Sequence, residues 1–354
     1  MSLVLHVDGD RWRAQLRATL ERHPGLVPVA KGNGYGFGLA RLARKAQWLG
    51  VDTIAVGTYA ELPEIASRFD GSMLVLTPWR PFDDLPQDPR VIHTVGRRED
   101  LATLAAHGRA TGVRPRVALE RLTSMRRHGF SARGLREAVQ LVAEHGGVQV
   151  EGIALHLPLA QRSHLGEVER LMTDVVAAGA GTSTIWVSHL TDAELAQMAS
   201  AYPDFTFRPR TGTGLWLGDR GALRVTATVL DVHPVERGDV YGYRGRSAPR
   251  AGTILVVSGG TAHGIGLEAP TGDASLKSRA ASIARGGLDA AGFVRSPYTI
   301  GGKQRLFAEP PHMQASMLFL PAGTAAPAVG DEVEVRVRFT ATDVDHVDIS
   351  PPRA

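Results

Sequence analysis

The feature that most constrains the fold is an alternation of eight short apolar runs with stretches of helical periodicity. The runs are LVPVAK (26–31), DTIAVG (52–57), MLVLT (73–77), RVIHTV (90–95), RPRVALE (114–120), VQVEGIALHL (148–157), STIWVSH (183–189) and FTFRPR (205–210). Most gaps hold amphipathic stretches, such as GLARLARKAQWLG, SARGLREAVQLVAEHG and SHLGEVERLMTDVVAAG. Apolar strands alternating with helices argue for a parallel sheet covered on both faces. Eight such units predict a (β/α)8 TIM-type barrel, whose chemistry gathers where the strands end. An open doubly wound sheet is the alternative, but GNGYGFG has the wrong glycine spacing for a dinucleotide fingerprint.

After about Gly218 the pattern changes. ALRVTATVLDVHPV, AGTILVVSGG and DEVEVRVRFTATDV alternate apolar and polar residues, which predicts a mainly antiparallel β domain. The expected division is residues 1–218 for the barrel and 219–354 for the β domain, the first few residues being candidates to pair with the latter. Glu268 to Ser296, rich in Gly, Ala and Ser, reads as a loop with a short helix.

A chain of 354 residues with 43% hydrophobic and 21% charged residues is an ordinary globular composition. The formal charge of +4, without a basic stripe among aromatics, gives no reason to expect a nucleic-acid partner. The absence of cysteine excludes disulfides, thiolate catalysis and cysteine metal sites, and no metal cluster is evident. No signal-peptide pattern or membrane-length apolar stretch stands out, so a cytoplasmic protein is expected.

The strand ends carry Lys31, Glu120, His156, Ser188 with His189, and Arg210. Lys31 is the most informative of these, as one of four lysines among forty basic residues. Position alone favours a solvent-facing side chain. A lysine amine, unlike a guanidinium, can lose its proton and become a nucleophile or Schiff-base partner.

Several ordered motifs resemble those of the alanine racemase family, the barrel-fold pyridoxal-phosphate (PLP) enzymes. HVDGDRWRAQL is similar to the family's opening strand and helix, and VPVAKGNGYGFG resembles its AVVKANAYGHG motif. VALERLTSMRRHGF resembles VHLKVDTGMNRLGV, and FRPRTGTGLWLG a lengthened VRPGIALYG. The resemblance implies that Lys31 forms the Schiff base with PLP and serves as the base on one face of the substrate Cα. It places Tyr35 at the cofactor phosphate, Arg127 at the substrate carboxylate and cofactor oxygen, and His156 beside the pyridine ring. Ser188 and Thr191 compete for the phosphate, with Gly212 and Thr213 as amide donors. Arg210, with Arg208 as the alternative occupant, faces the pyridine nitrogen. Glu120 stands where the family often has a lysine that can be carbamylated, and supplies an anion that orients Arg127. Arg121, Arg126 and His128 read as surface residues.

The match weakens in the second domain. The family's second-face tyrosine, in GYADGY and supplied by a partner subunit, aligns with GGTAHGIG, which puts Thr261 at the tyrosine and His263 two residues beyond. His263 or His312 is then the candidate second proton donor. Met313, a candidate substrate contact, is retained, but Gln314 replaces the family's aspartate. The implied function is a PLP-dependent amino-acid racemase or epimerase working as a homodimer. The rivals are a PLP-binding regulatory protein that has lost the second base, and a PLP dehydratase or aldolase acting on D-amino acids.

Overall fold

The computed structural model describes residues 2–159, 163–267 and 294–351. Of the stretch expected as loop and short helix, 268–293 lie outside the described residues, while Arg295 and Ser296 open a strand. The chain divides into two compact units. One comprises Arg13–Gly34 and Gly38–Gly218, the other Met1–Trp12, Tyr35–Phe37 and Asp219–Ala354. Among the described residues no helix is long and apolar enough to cross a membrane.

The chain opens with strand β1 (Leu3–Val7) and helix α1 (Gly9–Arg22). In the first unit eight parallel strands close into a barrel: β2 (Val27–Ala30), β3 (Thr53–Val56), β4 (Ser72–Val75), β5 (Val91–Val95), β6 (Arg116–Arg121), β7 (Gln149–Leu155), β8 (Thr184–Val187) and β9 (Thr206–Thr211). Each apolar run of the sequence carries one of them. The ring closes where Val27 and Pro28 of β2 meet Arg210 and Thr211 of β9. Between the strands run α2 (Leu39–Leu49), α3 (Leu62–Ala66), α4 (Arg98–Thr111), α5 (Ala132–His145), α6 (Leu165–Ala178) and α7 (Asp192–Ala201), and α8 (Thr213–Trp216) follows β9. These helices bury one stripe each; α2, for example, buries Leu39, Leu42, Ala43, Ala46 and Leu49.

Inside the barrel, Val27, Val29, Ala55, Leu74, Ile92, Ala118, Ala154 and Trp186 form a buried apolar plug. Alternate strand residues point to the same side. The next inward positions are therefore Lys31, Gly57, Leu76, Thr94, Glu120, His156, Ser188 and Arg210. A largely polar layer sits on an apolar one, at the end of the barrel where the strands finish.

The second unit is an eight-stranded sheet in the order β13-β16-β15-β14-β17-β10-β1-β18, with β10 also pairing β13. Its strands are β10 (Leu223–Val235), β13 (Gly252–Ser258), β14 (Arg295–Ile300), β15 (Lys303–Phe307), β16 (Ala315–Pro321), β17 (Glu332–Val335) and β18 (His346–Ile349), with β11 (Val240–Tyr241) and β12 (Arg246–Ser247) as a separate hairpin. All pairs in the large sheet are antiparallel except β1 with β18. In the DEVEVRVRFTATDV run, which reads as antiparallel β, β17 ends at Val335. Tyr298 pairs with Val335, so the next partner of β17 is Pro297, which has no N–H to give. Arg336 N–H still donates to the Pro297 carbonyl (3.0 Å), and the ladder stops there.

Helix α4 rests directly on the turn after α5. A Cβ built on Gly108 would overlap the Gly147 carbonyl oxygen and lie 3.0 Å from Pro115 Cδ. Alanine in a helix interior normally gains about 1 kcal/mol over glycine, but this neighbour is backbone and cannot step aside. Overpacking of this kind costs about 1–3 kcal/mol. Gly108→Ala is thus expected to lower the Tm by several degrees in a thermal melt, against its helix propensity.

Candidate active site

The loop after β2 sets the position of Lys31. Gly32, Gly34, Gly36 and Gly38 have φ of 59°, 62°, 85° and 78°, a region that glycine enters without a Cβ penalty. Tyr35, between them, is buried and itself holds φ 56°, ψ 31°. Among the described residues the other non-glycine positions with positive φ are Arg126 (52°) and His189 (63°). These two follow β6 and β8 at the same end of the barrel, and such backbone strain collects at functional sites.

Lys31 stands at the open end of the barrel, its amine partly shielded from water. That shielding pushes its pKa down, the Arg127 cation pushes it further, Glu61 opposes, and Arg210 adds to the fall. Arg210 is buried (6% exposed), its Nη2 donating to the Leu155 carbonyl at 3.1 Å. Burial pulls its pKa to about 10 against the pull of Glu120, so it stays charged at neutral pH. Glu120 is equally buried, which raises its pKa, while Arg210, Arg127 and Arg80 hold it down. Two atoms of this pair, Arg210 Nε and Glu120 Oε2, are buried without a hydrogen-bond partner. Unsatisfied buried polar atoms are rare and ask for a missing partner.

His156 is half-buried. Its Nδ1 bonds the Ser188 hydroxyl (3.1 Å), which also accepts from Leu157 N–H (3.1 Å). Burial, then Arg210 and Arg127, push its pKa down to about 3, leaving a neutral ring. The His189 ring lies 5.7 Å from it.

Not every residue singled out in the sequence is free for ligand. The Thr191 hydroxyl caps α7, accepting from Glu194 N–H (3.3 Å) and donating to Glu194 Oε2 (3.0 Å). Gly212 and Thr213 open α8. Arg208 bonds Asp52 and the Gly25 carbonyl, residues that precede β3 and β2, at the opposite end of the barrel from Arg210. Arg121 corrects the surface reading: it is buried, donating to Asp174 of α6 (2.8 Å) and to the Phe130 carbonyl (3.1 Å).

In the other unit, Thr261 and His263 form a 3-10 turn. His263 has both ring nitrogens engaged, Nδ1 by Gly260 N–H (3.3 Å) and Nε2 by Asp345 (3.2 Å). His312 is exposed and bonds buried Glu309 at 2.7 Å. Met313 is 72% exposed.

Three glutamates that sequence reasoning passed over tie the barrel's rim loops together. Glu61 accepts from Gly32, Gly57 and Thr58 N–H groups (2.8, 2.7 and 3.2 Å). Glu167 holds Ser124 through its N–H and hydroxyl (2.6 and 2.8 Å). Glu194 accepts from His164 and Thr191 N–H groups and from the Ser163 and Thr191 hydroxyls. The available signal was spacing: Thr58-x-x-Glu61 and Thr191-x-x-Glu194 both have the form of a capping box.

An amine with a lowered pKa, a buried cation and an uncharged histidine thus gather at the strand ends of a parallel barrel. Residues 7–203 match the family model for the alanine racemase N-terminal domain, and the chain belongs to the alanine racemase family. It is 28% identical to an alanine racemase of Mycolicibacterium vanbaalenii over 280 residues, 70% of this chain and 69% of that protein. An alanine racemase of Nitratidesulfovibrio vulgaris is 27% identical over 267 residues, 69% of this chain and 71% of that one. Among solved structures, an alanine racemase from Bartonella henselae with covalently bound pyridoxal phosphate superposes with a TM-score of 0.70 at 15% identity, over 99% of this chain and 100% of that one. A histidine racemase from Leuconostoc mesenteroides subsp. sake gives 0.68 at 17% identity, over 98% and 97%. These structural likenesses establish the fold.

Glu194 supplies a test by pH. Burial opposes its charge, but hydrogen bonds from Thr191, His164 and Ser163 outweigh it and bring the pKa down to about 2. A carboxylate depressed in the folded state stabilises above its unfolded pKa of about 4.3; that stability is lost as pH falls toward 2. Glu194→Gln should flatten the loss of Tm between about pH 4.3 and pH 2 in melts compared with the wild type.

Proposed function

We propose that this chain is a PLP-dependent amino-acid racemase or epimerase, working in the cytoplasm as a homodimer. The observation that carries the reading is Lys31, directly after β2, in the same inward layer as buried Arg210 and Glu120, whose Nε and Oε2 lack partners. The residues fit the cofactor: an amine for its aldehyde, a buried cation for its ring nitrogen, and an uncharged imidazole for its ring. When bound, the cofactor withdraws electrons from the substrate and so acidifies the Cα proton.

The chain's own residues do the rest. Lys31 holds the cofactor through Nζ and takes or returns the Cα proton on one face, a task needing the neutral amine that Arg127 and Arg210 favour. Arg127, exposed at the mouth, offers its guanidinium fork to the substrate carboxylate. Glu120 is the anion facing Arg127 and Arg210. His156 would pack beside the cofactor ring. Arg210 opposes proton gain at the ring nitrogen, which favours prompt reprotonation of Cα over elimination or transamination. Tyr35, Ser188, Thr191 and the Gly212 and Thr213 amides are the phosphate candidates, and the hydroxyls of Ser188 and Thr191 already have protein partners. The second-face donor is assigned to the Thr261–His263 turn of a second copy, with His312 as the alternative. The relatives' names cover both alanine and histidine as substrates, so the class proposed is an amino acid.

A second reading has its own support. His263 has both ring nitrogens committed, and a threonine hydroxyl is a poor acid at neutral pH. A chain that holds PLP without racemising would look the same on the Lys31 side.

Lys31→Ala should abolish the visible absorbance of the PLP-supplemented protein and its fixation by borohydride; a wild type with no such band would end both readings. Deuterium incorporation at Cα of alanine, serine and histidine separates them. Exchange with inversion is expected, whereas exchange with retention means a single working base, and no exchange leaves the binding role. Inversion unaffected in Thr261→Ala and His263→Ala would move the second donor elsewhere, with His312→Ala as the next variant to measure.

A further inference from the structure

We propose that Glu61 is a positioning residue for Lys31, fixing the backbone beside it and supplying the anion that opposes the arginines around its amine. The inference rests on the reading of Lys31 as the attachment amine. Three observations carry it.

The first is the hydrogen bonding. The Glu61 carboxylate takes the N–H of Gly32, the residue after the lysine, at 2.8 Å through Oε1. Through Oε2 it takes the N–H groups of Gly57 and Thr58, just beyond β3. One carboxylate therefore clamps the exits of two neighbouring barrel strands, and charge-assisted bonds of this kind are the stronger ones.

The second is the space between them. Gly57 occupies the inward position of β3 in the layer that holds Lys31. A Cβ there would lie 2.9 Å from Lys31 Cβ and 2.9 Å from Glu61 Oε2. The missing side chain lets the lysine stem and the carboxylate share one wall.

The third is charge. The groups acting on the amine are Arg127 after β6, Arg210 on β9, His156 after β7, His189 after β8 and Glu61 after β3. Glu61 is the charge that favours the protonated amine; Arg127 and Arg210 favour the neutral form, and His156 is an uncharged neighbour. It thus works against the two arginine cations at the amine.

The experiment measures Lys31 itself. The full-length chain, freed of bound aldehyde with hydroxylamine, is treated with cyanate across a pH series, and carbamylation of each lysine is read by peptide mass spectrometry. Glu61→Gln keeps the shape and removes the charge. Lys31 is expected to react severalfold faster at neutral pH, with its midpoint moved down, while Lys303 is unchanged. Glu61→Asp, whose carboxylate is drawn back by one methylene, should move Lys31 the same way by less, and serves if Glu61→Gln does not fold. A Lys31 midpoint unchanged in a folded variant overturns the proposal, because a purely structural clamp would leave it in place. Failure of the wild type to bind PLP would remove the functional reading without touching this measurement.

Discussion

Much of the barrel's chemistry follows from one constraint: Arg210 is a guanidinium buried inside a closed sheet. An isolated charge there is costly, and removing one partner of a buried pair typically costs about 3–5 kcal/mol. The fold answers with Glu120 on a strand across the barrel and with the Leu155 carbonyl. Neither reaches Nε, and Glu120 keeps Oε2 unpaired. Burial first, and the same cation after it, lower the pKa of His156, and the cation adds to burial and Arg127 in lowering that of Lys31.

The barrel was legible because its strands are buried on both sides and so appear as continuous apolar runs, each ending near its reactive residue. What periodicity could not show was where a strand stops for reasons held by its neighbour. β17 ends because Pro297 sits in β14, a pairing that no local pattern in DEVEVRVRFTATDV reveals. Arg121 was misread for a similar reason. Its burial depends on Asp174, fifty-three positions away on α6, and a cluster of arginines in a sequence looks the same whether one of them turns inward or not.

Of the candidate site, the residues that lie on strand ends were found and those that act through backbone groups were missed. Glu61, Glu167 and Glu194 contact main-chain N–H groups, which carry no residue identity, so sequence offers only the capping-box spacing of Glu61 and Glu194. Together they connect loops following β2 with β3, β6 with β7, and β7 with β8. Carboxylates add to the apolar packing in holding these parts of the rim. A rim of that kind keeps its geometry while leaving the mouth wet and polar.

The two-residue repeat of the strands has a consequence for how such a barrel can vary. Arg208 and Arg210 lie on the same side of β9, yet one reaches Asp52 below and the other Leu155 above. At about 3.3 Å per residue, a slip of two positions moves a side chain roughly 6.6 Å along the strand without turning it outward. A slip of one would send it through the wall into the helices. Strands lining the interior can therefore lengthen or shorten in pairs of residues while their inward chemistry survives, and a single extra residue needs a loop or a bulge, as at Glu151 of β7, where Val117 pairs with Val150 and Ala118 with Gly152.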